Sequence, residues 1–385
     1  MYNAGNTQQQ ERLTSSNHKL LLAMPQPVRF NPSIEDREPD EADTIGKLNE
    51  QFAHIQEVTA DHYKHGVRAV HAKAHAVARG TLTIRGGLAP ELAQGLFARP
   101  GRYEAILRVS TQPGDILDDA VNSPRGLALK LLGVEGERLP GSEGDTTQDF
   151  ILVNGPTFGA KTATKFLANL SMLAKTTDKL EGVKKAMSAV LRPIEAGLEA
   201  VGLPSSNLQQ LGGAPSTHPL GETYYSQTAF RHGDHIAKYA LVPVSPELTS
   251  LTGTHVATAG RPDAIRQTMN EELVEHGGIW ELRAQLAYDL DKQPIEDATV
   301  EWKEADTPFV TIGTLEVPPQ TAWTPMESTR TEDALAFNVW HGLAAHQPLG
   351  NINRARNGTY VHSAERRGRV NGCPMREPHA LAEVP

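Results

Sequence analysis

The sequence predicts an α+β fold in which an antiparallel β-barrel is surrounded by helices, and three observations predict it. Short strand-like runs broken by Gly and Pro occur between residues 80 and 132. From Trp280 to Leu290 apolar residues occupy every second position, which indicates a strand with one face in a core. Between residues 159 and 202 the apolar spacing changes to that of a helix. Strands on both sides of a helical middle are typical of a barrel or a strongly bent sheet.

The composition limits the function classes. The chain has 385 residues, 39% of them hydrophobic, which is enough for a substantial core. A net charge of −9 argues against nucleic acid as a general partner. The single cysteine, Cys373, excludes an intramolecular disulfide or a cysteine-rich metal site. No apolar run is long enough to span a bilayer and the first ten residues are polar, so we expect a cytoplasmic protein.

The N-terminal part is polar and ends in an acidic run. We interpret residues 1–43 as a tail or arm, because their composition buries little surface. From residue 44 apolar side chains recur at spacings of three and four, which predicts a helix with one buried face. The main domain is then expected over residues 44–370, with a short C-terminal tail over residues 371–385.

Seven runs have strand character because aliphatic residues alternate or cluster between turn residues. They cover residues 81–84, 104–110, 126–132, 149–153, 236–244, 280–290 and 309–317. The helical middle carries seven basic residues against two acidic ones over residues 161–192. Such a helix either packs on the barrel with a solvated face or makes a peripheral contact with an anionic lipid surface.

A histidine-rich segment, residues 65–75, precedes the first strand. It places a guanidinium, imidazoles and an ammonium among Ala and Val, so His71 is either a structural residue or an acid–base catalyst. A non-haem metal site is a second possibility, because His71 and His75 are four residues apart with His62 or His65 nearby. Neither an HExxH pattern nor a clear carboxylate ligand accompanies them.

Arg356 and Tyr360 are also four residues apart, in the C-terminal arginine-rich segment. On a helix they share one face. A guanidinium beside a phenol lowers the pKa of the tyrosine and favours the phenolate, which can bind Fe³⁺. The spacing alone is common on basic helices.

Five motifs occur in the chain order of the haem catalase superfamily, which residues 45–370 therefore resemble. The motifs are Arg68-Ala-Val-His71-Ala-Lys73, Arg108-Val-Ser110-Thr111, Ser123-Pro-Arg-Gly-Leu-Ala-Leu-Lys130, Asp149-Phe-Ile-Leu-Val153 with Phe158, and Arg356-x-x-x-Tyr360 with Arg367. The resemblance implies a catalase-like barrel followed by a C-terminal proximal haem helix.

The resemblance also implies a role for each motif residue. Tyr360 would bind the iron of a haem b as phenolate, with its charge stabilised by Arg356. His71 would be the distal acid–base catalyst, with Ser110 bonded to its second ring nitrogen. The remaining residues would contact the haem: Arg68, Arg108 and Arg367 its propionates, and Phe158 its apolar face.

One departure from the family pattern bears on the reaction. By spacing from Phe150, Thr146 stands where the family has the asparagine that orients peroxide. A hydroxyl offers one donor where the amide offers two. We therefore expect a catalase-related peroxidase, which uses an electron donor to reduce hydrogen peroxide or organic and fatty-acid hydroperoxides. We also expect the protein to form a homo-oligomer. The alternatives are a true catalase and a haem- or lipid-binding barrel without turnover.

Overall fold

Nine strands form one antiparallel sheet in the computed structural model, which describes residues 26–177, 216–373 and 375–385. The strands are β1 (Ala74–Ile84), β2 (Gly101–Thr111), β3 (Arg125–Leu131), β4 (Gln148–Val153), β5 (Tyr224–Tyr225), β6 (Phe230–His232), β7 (His235–Pro243), β8 (Gly278–Leu286) and β9 (Val310–Val317). The helices among the described residues are α1 (Glu41–Tyr63), α2 (Ala163–Thr177), α3 (Pro246–Thr249), α4 (Ala264–Glu275), α5 (Pro325–Ala334) and α6 (Asn351–Asn371).

The sheet closes on itself. Its strand order is β5-β4-β3-β2-β1-β9-β8-β7-β6, and an additional pairing joins β5 to β7. Eight strands therefore complete a barrel, while β6 forms a hairpin with β7. Aliphatic and aromatic side chains fill the interior, as expected for a barrel of this size. The predicted α+β fold with a catalase-like antiparallel barrel and surrounding helices is confirmed.

The strand predicted from Trp280 to Leu290 is shorter than its alternating pattern. β8 ends at Leu286, because the Gln293 side chain accepts hydrogen bonds from the backbone of Tyr288 and Asp289, at 2.7 and 3.2 Å, and turns the chain. The alternation continues into this turn without forming sheet. The alternating pattern alone does not show that a side chain several residues further along the chain will end the strand.

The described part of the predicted N-terminal arm, from residue 26, lies on the body of the protein. Arg354 of α6 binds Glu35 at 2.6 Å, Glu41 at 2.8 Å and Glu296 at 2.9 Å. This guanidinium therefore joins the acidic run to α6. The division into arm, domain and C-terminal tail remains a prediction.

Of the predicted helical middle, α2 covers Ala163–Thr177, and residues 178–202 lie outside the described residues. Residues 178–192 of the predicted lipid contact over residues 161–192 fall in that part of the chain, and the contact remains a prediction. Within the described ranges, no helix combines the length and apolar character that crossing a bilayer requires.

Two buried histidines and a tyrosine form a continuous hydrogen-bonded chain in the core. The Leu96 amide donates to Nε2 of His346 at 2.9 Å, so Nδ1 of His346 carries the proton and donates to the Tyr239 hydroxyl at 3.0 Å. That hydroxyl donates to Nδ1 of His232 at 2.9 Å, and Nε2 of His232 donates to the Leu92 carbonyl at 2.9 Å. Every donor in this chain of hydrogen bonds has an acceptor only if both imidazoles are neutral.

This network predicts loss of stability in mild acid. Burial lowers the pKa of His232 to about 4 and lowers that of His346 as well. Between the unfolded pKa of about 6.5 and the folded value, the unfolded chain binds more protons, so stability falls as the pH falls. At pH 5 keeping His232 neutral should lower the free energy of unfolding by about 2 kcal/mol relative to pH 7. Urea unfolding at pH 7 and pH 5 measures this.

The control for that experiment is an exposed imidazole. His232→Gln should reduce the difference in unfolding free energy between pH 7 and pH 5, whereas His54→Gln, on the exposed face of α1, should leave it unchanged. An unchanged difference in the His232 variant would contradict the assigned protonation states.

Candidate active site

A cavity lies against the outer face of the barrel wall formed by β2, β3 and β4. On β2 the side chains of Leu107 and Val109 point into the barrel core, so Arg108 and Ser110 point outward. The outward side chains face α6 and the segment after α5. The cavity contains about 760 Å³ of space not filled by atoms, including solvent at its mouth.

The cavity lining is largely apolar, with a few converging polar groups. The apolar lining comprises Phe52, Ala69, Val70, Leu127, Ala128, Ile151, Leu152, Ala336, Phe337 and Ala364. The polar lining comprises Arg68, His71, Arg108, Ser110, Thr359, Tyr360, Ser363 and Arg367. Six of the nine sequence-predicted site residues are therefore brought to one cavity.

His71 is held in an unusual backbone conformation at this cavity. Its φ is 56°, in the left-handed region that few non-glycine residues adopt. The His71 amide donates to the Gln112 carbonyl at 2.8 Å, and Arg108 donates to the His71 carbonyl at 2.8 Å. These two bonds fix the strained backbone and hence the direction of the imidazole.

The ring of His71 lies against β3 because Gly126 has no side chain. A Cβ at Gly126 would come within 2.5 Å of Cε1 of His71. On the other side, Nδ1 of His71 is 3.2 Å from the Ser110 hydroxyl. Nε2 makes no hydrogen bond within the described residues, so it is the ring nitrogen available to a ligand.

The electrostatic surroundings keep His71 neutral. Burial, followed by the positive charges of Arg108, Arg356 and Arg68, lowers the pKa of His71 to about 3. At neutral pH the imidazole is therefore a proton acceptor. Once protonated it would be a strong acid, which returns its proton readily.

Arg68 and Arg108 share one buried carboxylate that the sequence analysis did not identify. Arg108 binds Glu332 through Nε at 2.7 Å and Nη2 at 2.8 Å, and Arg68 binds it through Nη1 at 2.6 Å. Although burial opposes ionisation, the charges of Arg108 and Arg68 lower the pKa of Glu332 to about 2. Glu332 is thus ionised and bidentate on Arg108.

Arg367 joins the same cluster through the backbone. Its guanidinium donates to the carbonyls of Glu332 and, at 2.7 Å, Leu335. Its Nε is buried and has no hydrogen-bond partner among the described residues. Burial lowers the pKa of Arg367 to about 10, which still leaves it charged at neutral pH. Three guanidiniums and one carboxylate therefore form an arginine cluster, defined here as Arg68, Arg108, Arg367 and Glu332.

Tyr360 and Arg356 both lie on α6, as predicted, but their side chains have different surroundings. Tyr360 lines the cavity. Arg356 donates to the Asn353 side chain at 3.1 Å, and its guanidinium lies 5.7 Å from the ring centre of Phe158. Phe158 and Arg356 therefore lie next to each other, and neither is among the residues that line the cavity.

Thr146 is not part of this site. It precedes β4, in which Ile151 and Leu152 reach the cavity, and about five residues at ~3.3 Å each separate the two places. Its hydroxyl is 2.8 Å from Nδ1 of His379. The expectation that Thr146 faces a bound peroxide is not met, because spacing counted from Phe150 leads to the far end of the strand.

The histidines of the alternative metal site are dispersed. His65 binds Asp333 at 2.9 Å, and the buried His75 has Nε2 3.2 Å from the Thr111 hydroxyl. Among the described residues the one group of three side chains close enough to share an ion is Asp149, His341 and Glu377. The Lys130 ammonium already binds both of those carboxylates, at 2.8 and 2.5 Å.

Comparisons with known proteins support the fold. No protein-family model and no curated protein matches the chain. Solved structures that match include catalase A from Saccharomyces cerevisiae and a fungal catalase, each with a TM-score of 0.55 and 16% sequence identity over 81% of this chain. The match covers 65% and 63% of those two chains, so this chain corresponds to less than two thirds of their length.

Proposed function

We propose that the chain is a haem-dependent peroxidase built on the catalase-like barrel. The observation that carries the proposal is the convergence of His71, Tyr360 and three arginines on one cavity. The phenol comes from α6, the imidazole from the segment before β1, and the guanidiniums from three different elements. Such a combination of an acid–base group, a metal ligand and cations matches what a haem enzyme needs.

The residues present suit a haem. The apolar lining suits the porphyrin ring, and the Tyr360 hydroxyl, which has no hydrogen-bond partner among the described residues, is free to bind iron. The arginine cluster has an excess of two positive charges, which matches two propionates. The unpartnered Nε of Arg367 is a buried donor that a carboxylate would satisfy.

When bound, the haem supplies a ferric iron at which a peroxide is held and its O–O bond broken. Tyr360 would hold the iron as phenolate, and the arginine cluster would pair with the haem carboxylates. Guanidinium groups suit this role because they bind carboxylates in a planar, bidentate manner.

His71 moves the proton during peroxide cleavage. With Nδ1 bonded to the Ser110 hydroxyl, Nε2 takes the proton from the attacking oxygen and returns it to the departing oxygen. The products are two waters from hydrogen peroxide, or an alcohol and water from an organic hydroperoxide, once a donor has supplied two electrons and two protons have been taken up from the donor or the solvent. The low pKa of His71 favours this return of the proton.

The side chains that would face the ligand favour peroxidase activity over dismutation. Among the described lining residues none carries a side-chain amide, and the outward-facing Ala128 of β3 and Ile151 of β4 are apolar. A second hydrogen peroxide would find few donors to orient it, whereas an organic hydroperoxide could pack its chain against these side chains. An external reductant then completes the cycle.

A side-by-side assay tests this choice of reaction. The haem-loaded protein should oxidise an added dye with a fatty-acid hydroperoxide, and should release oxygen from hydrogen peroxide at least about 100-fold more slowly than a catalase does, the scale of losing one catalytic contact. Oxygen release at catalase rates, with no consumption of the other substrates, would instead establish a true catalase. Haem binding without either activity would indicate a non-catalytic barrel.

A further inference from the structure

Glu332 occupies donors that a bound carboxylate would use. Its two carboxylate oxygens take Nε and Nη2 of Arg108 and Nη1 of Arg68. Its side chain is only 12% exposed, and it belongs to the last turn of α5. The protein thus carries its own carboxylate at the place where the proposed function needs the cofactor's carboxylates.

The effect of Glu332 differs between the two states of the site. Without a ligand, three guanidiniums repel one another, and a buried carboxylate among them relieves that repulsion. With a dianionic ligand, the same carboxylate repels the incoming negative charges and keeps two donors of Arg108 occupied. One residue therefore stabilises the empty cluster and weakens its binding of anions.

We propose that Glu332 is a built-in carboxylate that holds the arginine cluster together in the cofactor-free protein and lowers its affinity for the haem carboxylates. This inference rests on the proposed function, since it assumes that the ligand of this cavity is a haem. It makes haem loading weaker and more reversible than the three arginines alone would allow. Glu332 is a positioning residue, because it acts through Arg68 and Arg108.

The test measures two quantities on the Glu332→Gln variant, Tm without cofactor and affinity for haem, which are expected to change in opposite directions. The cofactor-free variant should lose about 5 to 10 °C in Tm, because a buried ion-pair partner is removed. The same variant should bind haem about tenfold more tightly in an absorbance titration, which corresponds to about 1.4 kcal/mol. A residue with a merely structural role would lower both quantities.

Haem dimethyl ester, in which both propionates are blocked, tests whether the negative charge of the propionates causes the gain in haem affinity. The tenfold gain should disappear with this ligand, because it offers no carboxylate to compete with Glu332. Glu327→Gln is the matched control: it removes one negative charge from the exposed face of the same helix and should change neither Tm nor haem affinity. Circular dichroism verifies that each variant is folded.

Glu332→Asp provides a second variant in case the first does not fold. It keeps the charge but withdraws the carboxylate by one methylene, so it should show a smaller gain in haem affinity. Equal or weaker haem binding by both variants, with a wild type that binds haem, would overturn this inference and leave the proposed function intact. A wild type that binds no haem would overturn the proposed function and, with it, this inference.

Discussion

Tyr360→Phe is expected to abolish stable haem binding. The substitution removes only the phenolic oxygen, so the cavity keeps its shape and its apolar lining. Loss of residues that merely support a metal ligand typically weakens binding by about 10- to 100-fold, and loss of the ligand itself should exceed 100-fold. The measurement is an absorbance titration of the cofactor-free protein with ferric haem, together with the visible spectrum.

Tyr103→Phe is the control for that experiment, since this tyrosine lies on β2 outside the cavity lining. It should retain wild-type affinity and spectrum. If Tyr360→Phe also retained both, the iron would have another ligand and Tyr360 would be a lining residue only.

His71→Asn is expected to leave haem in place but to slow the reaction with peroxide by about 100-fold or more, the scale of lost general acid–base catalysis. Asparagine is chosen because it tolerates the left-handed backbone that His71 adopts, so the segment before β1 should keep its conformation. Stopped-flow absorbance after mixing with peroxide measures the rate.

The control here is His54→Asn, the same change at an exposed position of α1. It should react at the wild-type rate. A wild-type rate in the His71 variant would remove the imidazole from the mechanism and would favour the non-catalytic barrel.

The fold was largely predictable because its strands carry their own periodic signal. β7 was predicted over residues 236–244 and is found at His235–Pro243. β1 was predicted only from residue 81, although it begins at Ala74, because its first residues, from the histidine-rich segment, are buried on both faces and do not alternate. The short β5 and β6 were not predicted, since two or three residues carry no periodicity.

Site residues could be predicted from the sequence where they belong to one of the recognised motifs. His71, Ser110 and Tyr360 reach it as expected. Glu332 was missed because its partners lie 264 and 224 residues away, and nothing near it in the chain signals an arginine pair. Arg356 shares a helix with Tyr360 as predicted, but its hydrogen bonds lead to Asn353 and Thr228, because guanidinium donors take the nearest acceptors.

The barrel should open first at β5, the strand that closes it. β5 contributes one residue pair to β4 and two to β7, whereas β1 and β2 share a ladder of ten pairs. A join with so few backbone hydrogen bonds should separate at a lower free energy than the rest of the wall. Amide hydrogens of Tyr224 and Tyr225 should therefore exchange with deuterated solvent well before those of β2. The barrel would then behave as a curved sheet whose β5 edge opens locally, and its wall would not be uniformly rigid.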